Sequence, residues 1–218
     1  MTWEKAIPLL IGTCPLLIFH LTHYLSASQG YVPWCVPYWE GCTSISATGR
    51  QGSAFVVFKI TMLPVAVLLW LYWRGAWNRL CRTTGWTAPR PWFMQLGLPA
   101  TVFLMVYTIA LGISGDVFQL TRRIGITGYF GLTFLSQLMF TRELVRLGLG
   151  GRPRHGLTAI CLVILLTALV SFYLDLRLEN YADYEDSFEW SVTLMLQMFF
   201  LLSWWVWRDM DRDPRSPR

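Results

Sequence analysis

Residues 54–73 read AFVVFKITMLPVAVLLWLYW. The run holds a single charge, Lys59, in twenty positions. A bilayer core takes roughly 20 consecutive apolar residues per helix, so the stretch reads as a membrane span. Five further runs have the same character: Ala6–Leu25, Met94–Ile113, Ile124–Thr141, Leu157–Leu174 and Phe188–Trp207. Ile124–Thr141 is the most diluted, by Thr127, Thr133, Ser136 and Gln137, and without it five spans would remain. The first run resembles a signal peptide in position only. Pro8 and Pro15 interrupt it and Ser26-Ala27-Ser28 is a poor cleavage site, so it reads as a retained helix. Charged residues make up 14% of the 218-residue chain, against about 25% in soluble domains. The expected fold is all-α: one integral membrane bundle of six transmembrane helices over residues 1–208, followed by a short charged, disordered tail, 209–218.

The cations sort by side. Of the 18 lysines and arginines, thirteen fall on the side that carries both termini. Only Arg50, Lys59, Arg122, Arg123 and Arg177 fall on the other. Under the positive-inside rule both termini are expected in the cytoplasm, the chain being a multi-pass protein of the plasma or inner membrane. The net charge of +5 is then a topology signal and an anionic-lipid contact. No nucleic-acid partner is expected.

Beside the span lies a strip that lipid alone does not explain: Cys42-Thr43-Ser44-Ile45-Ser46-Ala47-Thr48-Gly49-Arg50. It closes the longest loop, about Ser26–Ser53, which is rich in Trp, Tyr, Pro and Gly. Loops of this length are more often functional than idle. Cys35 and Cys42 share the loop, and an oxidising compartment would join them as a disulfide; two free thiols are the other reading. Ser44, Ser46 and Thr48 could supply a nucleophile with His20 or His23 as base, or could shape a turn and cap the next helix. His20 and His23, three apart on one helix face, are a polar pair at the interface. They fall short of the three or four ligands that zinc takes, so neither metal nor cofactor is expected.

Ionisable groups inside spans are costly and mark function by default. Lys59 either snorkels to the headgroups or pairs with a lipid phosphate or a carboxylate, for which Glu189 is the expected partner. Glu189 would also complement the dipole at the start of the last helix. Arg122 and Arg123, adjacent on the loop side, suit phosphate or carboxylate recognition; pairing with the acidic segment Asp175–Asp186 is the alternative.

Two stretches carry a family resemblance. Ser44-Ile45-Ser46-Ala47-Thr48-Gly49, with Phe58 beyond it, resembles the "ISDTG…F" signature of the Frag/DRAM/Sfk family. Phe188-Glu189-Trp190-Ser191, running into Phe199-Phe200-Leu201, resembles that family's last-helix "EW…F" pattern. Arg123–Phe130 is a looser match to its middle helix. The order of the stretches and six spans agree with the family. Ala47 stands where the family often has Asp, and Gly52-Ser53-Ala54 where Pro-Pro-Glu is common, so no role of those acids carries over. Eukaryotic members are linked to GPI-lipid remodelling, phospholipid asymmetry, phosphoinositide-kinase recruitment and autophagy. The resemblance implies a membrane protein that deals with lipid and no particular reaction.

The expected function is a lipid-related role at a headgroup site built from Ser44, Ser46, Thr48, Arg50, Lys59, Arg122, Arg123 and Glu189, with membrane lipids as partners. One alternative is a lipid acyl or headgroup transferase or hydrolase. The other is a scaffold whose basic inner loops, Arg79 and Arg82 among them, recruit a cytoplasmic protein.

Overall fold

The computed structural model describes residues 3–85 and 92–214. Six helices are long and apolar enough to cross a membrane. They are α1 (Ile7–Ser28), α4 (Gly52–Thr84), α5 (Trp92–Ala110), α6 (Asp116–Leu147), α7 (Pro153–Arg177) and α8 (Ala182–Arg212). Two short helices, α2 (Pro37–Glu40) and α3 (Ile45–Thr48), fold the long loop between α1 and α4.

The helices close into a ring in the neighbour order α1, α4, α5, α6, α7, α8, with α8 returning to α1. The loosest seam of that ring lies between α6 and α7. By contrast, α5 and α6 approach closely. A Cβ built at Gly125 would lie 3.0 Å from the Tyr107 backbone, and only glycine permits that approach.

The diluted span is helical and is the least apolar of the six. Three of its four diluting residues point inward: Thr133, Ser136 and Gln137 are buried, while Thr127 is exposed, and Gln137 Nε2 donates to the Leu196 carbonyl of α8 at 3.1 Å. Thr193, Gln197 and Ser203 on α8 are buried too. A membrane helix can carry such groups where they face other helices rather than lipid. A cluster of Tyr72, Trp73, Phe93, Phe140, Phe200 and Trp207 fills the core nearer the termini, with Tyr72 and Trp207 stacked at 5.0 Å.

The helices outrun the spans. The basic segment expected as an inner loop, with Arg79 and Arg82, is helical as far as Thr84; Trp86–Pro91 lies outside the described residues. The expected tail boundary also moves, since α8 continues through Asp209–Arg212. The cause is tertiary. Met210 is buried, and Asp211 pairs with Arg79 at 3.2 Å and Lys5 at 3.6 Å. These pairs tie both ends of the chain to α4 at one face of the bundle, called the terminal end below. The other face, which carries α2 and α3, is the loop end.

Candidate functional site

The polar strip is held in place by the start of α8. Trp190 is 1% exposed and its Nε1 donates to the Thr43 carbonyl at 2.8 Å. Ser187 Oγ donates to the Pro37 carbonyl at 3.2 Å. The Glu189 carboxylate lies against the Ile45 backbone N–H. Three neighbouring side chains of α8 thus satisfy backbone groups that a loop at the membrane surface would otherwise leave unpaired. At the far end of the loop Gln29 Nε2 donates to Ser53 Oγ at 2.6 Å, and its Oε1 accepts from the Ser53 N–H at 3.2 Å.

Cys35 and Cys42 form the expected disulfide, closing a loop of seven positions. In the chain-entropy account a loop of this size contributes about 2.5 kcal/mol. Thiol labelling of the unfolded, unreduced protein should modify Cys14, Cys81 and Cys161 only; all five cysteines should react after reduction. Reduction should also lower the melting temperature.

The histidines serve the same loop. His20 Nδ1 is 2.7 Å from the Leu16 carbonyl, which can only accept. That nitrogen therefore carries the hydrogen, leaving Nε2 to accept from the Tyr38 hydroxyl at 3.1 Å. Burial pushes the Tyr38 phenol up, which keeps it a donor. His23 sits beside the Pro33 carbonyl and 4.0 Å from Cys35 Sγ. Both rings stand edge-on to Trp190. Among the described residues no hydrogen bond joins either ring to Ser44, Ser46 or Thr48: His20 has both nitrogens engaged, and Ser46 Oγ accepts from the Arg50 guanidinium at 2.6 Å. A guanidinium cannot take a proton from serine, so Arg50 is no base for Ser46.

The eight expected headgroup residues divide. Ser44 caps α3, its Oγ accepting from the Ala47 N–H at 3.1 Å; it does not cap the long helix. Thr48 is buried and bonds Thr22 Oγ1 at 3.1 Å, so it faces α1 and no headgroup. Lys59 does not meet Glu189. Its Nζ donates to the Ile109 carbonyl at 3.0 Å and lies 4.4 Å from the Phe55 ring centroid, because its helix turns it toward α5. Arg122 Nη1 donates to the carbonyls of Ile113 at 2.7 Å and Ala110 at 3.3 Å, capping the end of α5. Arg123 is exposed on α6. Glu189 lies past the first turn of α8, beyond the reach of a helix-dipole explanation.

Ser46, Arg50 and Glu189 do come together. Arg50 lies in electrostatic range of Asp186, Glu189, Tyr107 and Arg122. Among the described residues none of these groups makes an ion pair. Beside them opens a cleft of about 360 Å³ at the seam of α6 and α7. Its polar lining is Ser46, Thr127, Ser171, Tyr181, Glu185 and Glu189; its apolar lining is Ile126, Phe130, Ala168, Phe188 and Val192. Thr127 and Ala168 on its flanks are exposed on the surface that faces lipid. The cleft thus combines two carboxyl groups near the start of α8 with apolar side chains of α6, α7 and α8.

Tyr107, which the sequence hid among many aromatic residues, belongs to this group. Its hydroxyl is buried beside Ser46 without a well-aligned hydrogen bond. Thr193 Oγ1, one turn below Glu189, is also buried without a partner. The four-residue spacing of Glu189, Thr193 and Gln197 was the available signal for a polar face on α8. Among the described residues no cluster of His, Cys, Asp and Glu could hold a metal. No family model, curated protein or solved structure matches the chain.

Proposed function

We propose that this multi-pass membrane protein handles lipid at its loop end, taking a headgroup into the cleft of α6, α7 and α8 while the acyl chains pass out through the α6–α7 seam. The observation that carries this reading is the mixed lining of the cleft, polar groups together with apolar side chains, on the loosest seam of the ring. Its volume is at the small end of ligand sites, about 300–1,000 Å³, which suits a headgroup with its chains left in the bilayer. We place the protein with the Frag/DRAM/Sfk type on the resemblance of its two motif stretches. Those stretches touch: Glu189 and Trp190 hold Ile45 and Thr43. The excess of cations at the terminal end supports a cytoplasmic placement of both termini.

Filling the cleft tests the reading. Phe130→Trp enlarges a side chain of the apolar lining and should strip co-purified lipid about tenfold, by lipidomics of the detergent-solubilised protein, with the melting temperature retained. Lys59→Ala, on the α5 side, should leave lipid retention unchanged. Equal lipid on wild type and Phe130→Trp would overturn the proposal.

A further inference from the structure

Resting on that reading, we infer that the headgroup is zwitterionic: its phosphate binds at Arg50 and its amine between Glu185, Glu189 and the rings of Tyr181 and Phe188. Charge of both signs stands at the cleft without direct pairing. Glu185 and Glu189 line the cleft, Asp186 stands beside them, and Arg50 lies in electrostatic range of Asp186 and Glu189. A purely anionic headgroup would meet the acidic groups of α8 as well as Arg50. A purely cationic ligand would leave the Arg50 guanidinium without a partner charge. A ligand carrying both charges a short distance apart satisfies the two sets at once.

The arrangement also sorts the two charges in space. Glu185 and Glu189 are one turn apart on the same face of α8 and both line the cleft. Tyr181 and Phe188, stacked at 6.2 Å between centroids, line it beside them. Carboxylates next to aromatic faces favour an ammonium, through charge and through the ring quadrupole. Arg50, two residues past the end of α3, donates to the cleft residue Ser46, and its planar fork matches phosphate oxygens. The buried Tyr107 hydroxyl lies behind Ser46.

The test uses the full chain in nanodiscs containing equal parts of phosphatidylcholine, phosphatidylethanolamine, phosphatidylglycerol and phosphatidic acid, with native mass spectrometry of retained lipid. Wild type should retain the two amine-bearing lipids over the two anionic ones by about tenfold, equivalent to about 1.4 kcal/mol. Glu185→Gln with Glu189→Gln should erase the preference. Arg50→Gln should weaken retention of all four lipids and keep their order. Should the double variant fail to fold, Tyr181→Leu should by itself reduce the preference. Retention that Phe130→Trp abolishes but that shows no preference for amines would overturn the zwitterion and leave the lipid cleft standing. Retention indifferent to Phe130→Trp would overturn both.

Discussion

Trp190→Ala is expected to lower folding stability by about 3–5 kcal/mol, the range for truncating a buried aromatic residue. It is also expected to release the loop between α1 and α4. Trp190 joins three things: the ring contacts of His20, His23 and Tyr38, the burial of the loop, and the hydrogen bond to Thr43. Truncation leaves the Thr43 carbonyl without its donor and opens a void under α2. Limited proteolysis in detergent should then cut between Tyr31 and Thr43, where the wild-type loop resists. Trp190→Phe keeps most of the ring and loses only the Nε1 donor, so its cost should be about 1 kcal/mol. An alanine variant with the wild-type cleavage pattern would show that the loop is held by something else.

The second large effect is at the other end. Arg79→Glu should collapse the yield of monodisperse protein. Arg79 is 7% exposed, pairs with Asp211 at 3.2 Å and lies 3.9 Å from the Trp207 ring centroid. Asp211 is part-exposed, so losing this pair costs less than the ~3–5 kcal/mol of a fully buried one, but reversal adds repulsion between two carboxylates and leaves a carboxylate at the buried Arg79 position. The swap Arg79→Asp with Asp211→Arg should restore part of the yield, measured by size-exclusion chromatography. A recruiting arginine would behave differently, since reversal would spare folding and abolish only partner capture. Its burial removes Arg79 from the basic surface expected to recruit a cytoplasmic protein.

The six spans were legible because each carries its own apolar run, and lipid imposes that demand on every helix separately. Their ends were not. Arg79 and Asp211 are charged and look like loop, yet they continue helices because they pair across the bundle. Within the site, Ser46, Arg50 and Glu189 stood out as polar groups for which lipid gives no reason. Lys59 stood out equally but turns to the Ile109 carbonyl, because depth in the membrane does not determine which way round its helix a side chain points. The same rotational uncertainty hid Tyr107, and it kept Thr48 among the headgroup residues although it faces Thr22. The disulfide was legible because both cysteines sit in one short loop, where few conformations separate them.

The lipid cleft itself is tested most directly by photo-cross-linking. A phospholipid with a diazirine high on one acyl chain, incorporated with the full chain in nanodiscs, reports its neighbours by peptide mapping. Labelling should concentrate on Ile126–Phe130, Ala168–Ser171 and Phe188–Val192 and should fall in Phe130→Trp. Labelling spread over the exposed faces of all six helices in proportion to their lipid contact, and unchanged by that substitution, would contradict the account.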